Sequence, residues 1–144
     1  MPGLRDRYGA SHAGTFLRER RILFDCAPAE FRRIFVHEVF HFVWLRAGNA
    51  ARNSFGQLLA SEIAGGAGGE LGWSAELRKK KLTAADRRKR TRRWREYCCE
   101  SFCDTAAWLY SGVERHDEFT LATGCRKTRR QWFARTLGGR QLQI

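Results

Sequence analysis

The segment from Ala29 to Ala47 restricts the fold of this chain more than any other. Apolar residues recur in it at steps of three and four, which is the period of an α-helix. The apolar positions are Phe31, Ile34, Phe35, Val39, Phe42 and Val43. Because they cover much of the helix circumference, we predict a central core helix. Gly48 and Asn49 form a common C-terminal signal, so the helix is expected to end near them.

The remaining chain is predicted to fold around this helix as one small domain. Its 144 residues match the usual size of a single domain, and we assign 1–144 to one. Residues 1–14 are polar and are expected to be loose. The segment Thr15 to Asp25 has two short apolar runs around RERR, which indicates a β-hairpin or a strand after a turn. We therefore predict a helix-dominated α+β fold with a small sheet or hairpin packed on the core helix.

Two shorter segments also have helical patterns. Asn53 to Ile63 carries apolar residues on one side, and the stretch around Gln131 to Leu137 is amphipathic. Between them, the run of glycines within residues 65–69 favours a flexible turn rather than a helix interior.

A long helix is predicted in the second half of the chain. Thr83 can cap it, since Asp86 follows three residues later in the manner of a capping box. The helix is expected to run from Ala84 to Tyr110, and its length favours a kink or a break on the way.

The core helix carries His37, Glu38 and His41, which form the sequence H-E-x-x-H. Histidines four residues apart project from the same helical face, so their imidazole nitrogens can reach one metal ion. Glu38 lies beside that face, where it can act on a water molecule at the ion. This arrangement is typical of zinc peptidases. The alternative is a chance match on a solvent-facing helix, but the apolar surroundings favour a metal, because buried ionisable groups are costly unless they are paired.

A third ligand is expected from the segment that contains Glu100 and Asp104. These acids are one helical turn apart on a common face, and apolar residues flank them. The spacing allows Glu100 to bind zinc while Asp104 accepts a hydrogen bond from a histidine ligand. His12 and His116 are poorer third ligands, since one lies in the loose N-terminus and the other in a late loop.

Cys99 and Cys103 offer an alternative pair of metal ligands, also four residues apart. They project about 100° away from the face of the two acids. The two pairs cannot both face the histidines, and the carboxylates fit the motif better. Packing as ordinary thiols is therefore the default for both cysteines.

The segments RRIFVHEVFHFVW and ESFCDTAAWLY resemble the paired helices of gluzincins, in which an H-E-x-x-H helix is followed by a helix with E-x-x-x-D. The stretch ILFDCAPAEFRRIFVHEVFHF also resembles the small ImmA/IrrE-type metallopeptidases. Together these similarities cover residues 15–48 and 94–111. They imply a minimal zincin-like fold, a zinc ion and hydrolysis of peptide bonds.

The motifs and the resemblance together predict a zinc-dependent endopeptidase. His37, His41 and Glu100 hold the ion, and Glu38 is the general base that deprotonates water. A peptide substrate is expected to add to the strand near Arg21 to Asp25. A further donor should stabilise the oxyanion. The candidates for it are His116, Tyr97 and Tyr110.

Residues 64–95 form a glycine-rich and basic insert. The chain has 27 Lys and Arg against 15 Asp and Glu, and this insert holds much of the excess. A solvated helix face is the plain interpretation. The functional one is a salt-sensitive surface for nucleic acid or an acidic partner. The candidate surface consists of Arg87, Arg88, Lys89, Arg90, Arg92 and Arg93. Because Trp94 is the only aromatic residue within residues 78–95, base stacking is not indicated.

Two other functions stay open from the sequence. One is a catalytically silent zinc-binding domain that acts as a nucleic-acid- or partner-binding regulatory module, and the other is a helical binding protein without metal. An intact Glu38 favours the enzyme, since a structural zinc site closes with four protein ligands. The cysteines are odd in number and crowded, which favours reduced thiols. With no signal peptide or membrane span visible, we expect a cytoplasmic protein.

Overall fold

The computed structural model describes residues 12–142. Its first elements are strands β1 (His12–Phe16) and β2 (Arg21–Asp25), which pair in antiparallel fashion. Arg20, with a φ of 49°, lies in the turn between them. The predicted hairpin is thus confirmed, although β1 begins at residue 12, inside the segment 1–14 whose composition predicts a loose N-terminus. Residues 1–11 of that segment lie outside the described part of the chain.

Pro28–Glu30 form a 3-10 turn that leads into helix α1 (Phe31–Arg46). Proline suits the start of a helical segment because its missing N–H would have no partner there. Helix α2 (Gly48–Ala64) follows after a single residue, and Gly48 takes a φ of 81° that residues with side chains rarely adopt. Helix α2 therefore begins earlier than the apolar pattern of Asn53 to Ile63 predicts.

Helix α3 (Trp73–Lys80) follows α2 along the chain. The long helix predicted from Ala84 to Tyr110 is divided into two helices, α4 (Ala84–Lys89) and α5 (Arg92–Tyr110). Arg90 has a left-handed φ of 50°, which ends α4 and lets α5 start in a new direction.

Side chains cap both of the helices beside this break. Thr83 and Asp86 form the predicted capping box of α4, and the Thr91 hydroxyl accepts the backbone N–H of Trp94 in the first turn of α5. The last helix, α6 (Thr123–Leu137), is about twice as long as the amphipathic stretch from Gln131 to Leu137.

The core lies where α1, α2 and α6 pack around α5. Helix α1 packs chiefly against α5, and α3 also lies on α5. Aromatic rings fill the centre, and burial of such rings contributes strongly to stability in a small domain. They belong to Phe40, Phe55, Phe102, Trp132 and Phe133. Since the hairpin packs on α1, the helix-dominated α+β fold is confirmed. None of the described helices combines the length and the apolar character that crossing a bilayer requires.

A group of buried charges, which we call the closed cluster, joins α6 to the rest of the core. Arg129 of α6 is fully buried and donates to the carboxylates of Glu62 and Glu70 at 2.7–3.2 Å. The same guanidinium donates to the hydroxyl oxygens of Ser101 at 2.9 Å and Thr105 at 3.2 Å. Helix α6 is therefore attached to α2 and α5 by ionic hydrogen bonds as well as by apolar packing.

Candidate metal and catalytic site

An open pocket of about 310 Å³ lies where β1, α1, α3 and α5 meet. Helix α1 contributes His37, Glu38 and His41 to its wall, and α5 contributes Glu100. These are the residues that the sequence predicts as ligands and base. They share one pocket because α1 packs along α5, which brings the two motifs together from distant parts of the chain.

The two histidine rings present their Nε2 atoms to Glu100. The Nε2 atom of His37 lies 3.1 Å from Oε2 of Glu100, and that of His41 lies 3.8 Å from Oε1. The ring centroids are 5.1 Å apart, as expected for residues one turn apart on a helix. Two imidazole nitrogens and a carboxylate are ligands that zinc favours, so the donor set fits a zinc ion.

Asp104 holds the opposite side of the His37 ring. Its Oδ1 lies 2.7 Å from Nδ1 of His37, and its Oδ2 accepts the Ala75 N–H at 3.0 Å. A buried carboxylate at Nδ1 keeps a proton on that nitrogen and fixes the orientation of the ring. The Nε2 atom is thereby left to face Glu100 and the pocket.

Gly72 provides the space that Asp104 occupies. A Cβ at position 72 would lie 2.2 Å from Cγ of Asp104 and 2.4 Å from each carboxylate oxygen. No Cβ contact of this length is tolerated, so any side chain at position 72 would displace Asp104. Gly72 follows the glycine run that predicts a flexible turn, but here close packing rather than flexibility requires glycine.

Cys99 contacts the other histidine, with its Sγ 3.4 Å from Nδ1 of His41. The hydrogen bond with Cys103 lowers the pKa of the Cys99 thiol to about 6, and the contact with His41 acts in the same direction. Ligand-type atoms of His37, His41 and Cys103 lie within 4.8 Å of one another, so this trio could also hold a metal ion. Cys103 is fully buried and does not line the pocket, whereas Glu100 does.

Charge pairing stabilises the ionised forms of His37 and Glu100. Burial disfavours a charged His37, but Asp104 and then Glu100 outweigh it and raise the pKa of His37 well above its usual value. Burial also acts against charge on Glu100, yet contact with His37 and His41 lowers the pKa of Glu100 to about 2. Glu100 is therefore a carboxylate throughout the neutral range, which is the form that binds a cation.

Glu38 lines the same pocket and is held there by strand β1. Its side chain is buried, and its Oε2 accepts a hydrogen bond from the Thr15 hydroxyl. The Thr15 Oγ1 also lies 3.1 Å from the backbone carbonyl oxygen of Glu38. The sequence predicts Glu38 as the base but gives no sign of Thr15, because a single threonine in a strand forms no pattern.

Helix α3 adds Ser74 and Arg78 to the pocket wall. Ser74 Oγ donates to Glu100 Oε2 at 2.6 Å, and the Arg78 Nη2 lies 3.8 Å from Glu100 Oε1. Arg78 also donates to the carbonyl and hydroxyl oxygens of Ser74 at 3.1 and 3.0 Å. The sequence does not single out either residue, since Arg78 is one of many cations in the basic insert.

The three predicted oxyanion stabilisers lie away from the pocket, and none of them lines it. Tyr97 is fully buried and donates to a carboxylate of the closed cluster. His116 pairs with Glu30 at 2.9 Å, and Tyr110 stacks on an aromatic ring of the core. Sequence position alone could not place these side chains relative to α1. Arg78 is the charged donor that does line the pocket.

Strand β1 is the strand that borders the pocket. Ala13, Gly14 and Thr15 line it, whereas no residue of Arg21–Asp25 does. A peptide that adds to the sheet beside the predicted ligands would therefore meet β1 rather than β2.

The predicted basic surface lies outside this pocket. Three of its residues are on α4, one is at the break, and two are in the first turn of α5. In chain order they are Arg87, Arg88, Lys89, Arg90, Arg92 and Arg93, and all except Arg87 are exposed. Arg92 pairs with Glu96 of the same helix at 2.7 Å.

Comparison with known proteins assigns this chain to no family. No family model, no curated protein and no solved structure matches it. Its function is therefore inferred from the residues of the pocket.

Proposed function

We propose that this protein is a zinc-dependent metallopeptidase of the endopeptidase type. The observation that carries the proposal is the convergence of His37, His41 and Glu100 at one open pocket that also contains Glu38. A structural zinc site takes four protein ligands and has no use for a general base. Three ligands, a free position and a neighbouring glutamate therefore favour catalysis. The resemblance of both motifs to gluzincins supports the same activity.

The residues of the pocket have separate roles in this reaction. His37, His41 and Glu100 would hold the ion. When bound, zinc polarises a carbonyl group and makes water more acidic. Glu38 takes a proton from water and later gives it to the leaving amine. The hydroxyl of Thr15 keeps the Glu38 carboxylate in position for both transfers.

Strand β1 and Arg78 suit a peptide substrate. Within the described residues β1 pairs with β2 alone, so its other edge offers backbone groups to an added strand. Arg78 lines the pocket and has the positive charge that would stabilise an oxyanion on the scissile carbonyl. The substrate is therefore expected to lie extended along β1, with its scissile bond near Arg78.

Cys103 is the competing third ligand. It belongs to the trio that groups with both histidines, but it is enclosed by protein on all sides. Glu100 is preferred because it lines the pocket, where the remaining position at the ion stays open to water and substrate.

The decisive experiment measures zinc content and peptide cleavage in a matched set of variants. The set is the parent, Glu38→Gln, Glu100→Gln and Cys103→Ala, with Glu96→Gln as a control on an exposed side of α5. We expect one zinc per chain in the parent, Glu38→Gln, Cys103→Ala and the control, and loss of zinc in Glu100→Gln. Cleavage of a broad peptide library should fall about 100-fold or more in Glu38→Gln, as for loss of a general base.

Each other outcome points to a different function. Loss of zinc in Cys103→Ala but not in Glu100→Gln would show that the ion is bound by His37, His41 and Cys103 instead. Zinc without cleavage in any form would favour the catalytically silent zinc-binding domain, whose basic residues around Arg90 bind nucleic acid or an acidic partner. If no variant contained zinc, even after addition of metal, the remaining interpretation would be a helical binding protein without metal. The cytoplasm is the compartment that we propose for each of these, since crowded free thiols suit a reducing environment.

A further inference from the structure

A second cavity, of about 440 Å³, lies between the end of α1, the first half of α2 and the start of α5. Arg52, Arg90 and Arg95 surround it, and Trp44 and Trp94 form part of its walls. It shares no lining residue with the pocket of the histidines. A cavity of this size is within the range of small-molecule sites, roughly 300–1,000 Å³. It is therefore a separate candidate site, which we call the arginine pocket.

Among the described residues the three arginines of this pocket have only neutral partners. Arg52 donates to the Asn49 side chain at 2.9 Å and to the carbonyl oxygens at the end of α1. Arg90 donates to the Asn53 side chain at 3.2 Å, and Arg95 donates to a backbone carbonyl oxygen at 3.1 Å. Among the described residues no carboxylate pairs with these arginines or lines the pocket. Their positive charge is therefore available to an anion.

The bottom of the pocket offers a hydrogen-bond donor without an acceptor. Trp94 as a whole is only 4% exposed, but its indole N–H, which has no acceptor among the described residues, is accessible from the pocket. The Nε1 atom lies 3.7 Å from the point that a Cβ of Gly56 would occupy, so it borders the open space above Gly56. Every buried side-chain nitrogen of the described residues has a partner, so this unpaired N–H is one that solvent can reach. A ligand that enters the pocket can supply one.

No carboxylate among the described residues lies at the bottom to oppose an anionic ligand, and Cys98 is the remaining buried side chain there. The pocket thus combines cations near its opening with indole rings and a thiol below. It fits a ligand with a negative group at one end and a flat, mostly apolar body that carries a hydrogen-bond acceptor at the other.

We propose that the arginine pocket binds a nucleotide, with the phosphate at Arg52, Arg90 and Arg95 and an acceptor of the base at the Trp94 N–H. Arginine forks match phosphate oxygens, and nucleobases carry carbonyl and ring-nitrogen acceptors on a flat ring. The nucleotide has two sources, a free mononucleotide or one unit of a single-stranded nucleic acid. A strand has further phosphates, which the neighbouring basic residues of α4 can contact, because Arg90 belongs to both surfaces.

The test is a titration of the folded protein at one fixed salt concentration. The probes are adenosine 5′-monophosphate, adenosine, inorganic phosphate, a single-stranded oligodeoxynucleotide and an acidic peptide. We expect the monophosphate to bind more tightly than adenosine or phosphate, since only it occupies both ends of the pocket. Preferential binding of the oligodeoxynucleotide, with the same variant effects, would identify the strand as the source.

Two variants remove the two ends of the site separately. The double variant Arg90→Gln with Arg95→Gln should weaken binding about tenfold or more, because hydrogen bonds between charged groups are lost. Gly56→Ala should also weaken it, since the new methyl group covers the indole N–H. Its Cβ meets only ordinary contacts of 3.6 and 3.7 Å, and alanine favours a helix, so this variant should fold.

The control is a double variant with the same loss of charge outside the pocket, Arg88→Gln with Arg92→Gln. It should change binding of the monophosphate little. Equal weakening by the control and by the pocket variants would overturn the proposal in favour of diffuse charge attraction. Binding of the acidic peptide alone, or of no probe at all, would also overturn it.

Discussion

Helix α5 takes part in two clusters of charged residues that differ in their exposure to water and in their charge balance. In the closed cluster Arg129 donates directly to Glu62 and Glu70, and it also donates to the hydroxyl oxygens of Ser101 and Thr105 of α5. The proposed metal site, on another side of the same helix, uses Glu100 and Asp104. The first is sealed from water, and the second lines an open pocket.

Charge balance distinguishes the clusters further. In the closed cluster Arg129 contacts both carboxylates, and Lys79 lies 3.6 Å from Glu70, so two acids meet two cations. No buried side-chain nitrogen or oxygen atom of the described residues lacks a hydrogen-bond partner. Such a group has nothing left to offer a ligand, and its role is structural.

The proposed metal site has acids in excess. Glu100 and Asp104 contact His37, and Glu100 also lies near His41. Glu38 adds a third carboxylate to the pocket, and the guanidinium of Arg78 is 3.8 Å from Glu100. The comparison teaches that the number of buried charges does not mark a functional site. We propose that an excess of one sign beside an open pocket does, because a cation can then be gained from solution.

The largest effect is expected from Arg129→Met. The change leaves the carboxylates of Glu62 and Glu70 buried without their main partner, and loss of one member of a buried ionic group costs about 3–5 kcal/mol. Chemical denaturation followed by circular dichroism measures it. Lys127→Met, on an exposed position of the same helix, is the control and should change stability by about 0.5 kcal/mol or less. Equal effects of the two would mean that the closed cluster is not structural.

Gly72→Ala should damage the metal site while leaving the closed cluster intact. The new Cβ would displace Asp104 and free the His37 ring, and loss of such a supporting carboxylate lowers metal affinity about 10–100-fold. Competition with a chelator measures zinc affinity. Gly68→Ala is the matched control, because a Cβ at position 68 meets nothing within 4 Å. If both variants bound zinc like the parent, Asp104 would have no part in the site.

A smaller effect is expected from Thr15→Val, which removes the hydroxyl that donates to Glu38. A hydrogen bond to a charged group is worth about 1.5–3 kcal/mol. We therefore expect kcat for peptide cleavage to fall about tenfold at unchanged zinc content. Thr15→Ser keeps the hydroxyl and should restore most of the rate. A loss of zinc in Thr15→Val would show instead that the strand supports the ligands.

The smallest effect is a pH dependence of stability that arises from Glu70 in the closed cluster. Burial works against charge on Glu70, but Arg129 outweighs it and lowers the pKa of Glu70 below its usual value. Its stabilising contribution is therefore complete above the unfolded pKa, near 4.5, and is lost as pH falls through the lower folded pKa. The difference in stability between the parent and Glu70→Gln should be constant at neutral pH and should narrow in acid. A constant difference down to the lowest pH at which the protein folds would contradict this assignment.

The features that could be predicted from the sequence depend on short spacings. The hairpin and the capping box of Thr83 with Asp86 are confirmed, because each is formed by residues close together in the chain. The shared helical faces of His37 with His41 and of Glu100 with Asp104 also follow from short spacings, since residues four apart share a face wherever the helix packs, but their roles at a metal ion stay a prediction. Alignment of α1 with α5 then brings the motifs together.

The features that could not be predicted depend on long-range contacts. Arg129 meets Glu62 and Glu70 across 67 and 59 residues, and in the sequence it is one more cation in a basic tail. The pattern also gives no reason for β1 rather than β2 to border the pocket. Trp94 appears as a lone aromatic residue among cations, and only the fold places it beside Trp44 and Gly56.

The close approach of Gly72 to Asp104 gives this chain a signature for finding distant relatives. An H-E-x-x-H match alone occurs by chance too often to identify kinship. In this fold a carboxylate at position 104 and a side chain at position 72 exclude each other. Homologous sequences should therefore keep glycine at position 72 wherever position 104 is acidic, and the two positions should change together. A search that requires both motifs and this intervening glycine would separate homologues from accidental matches.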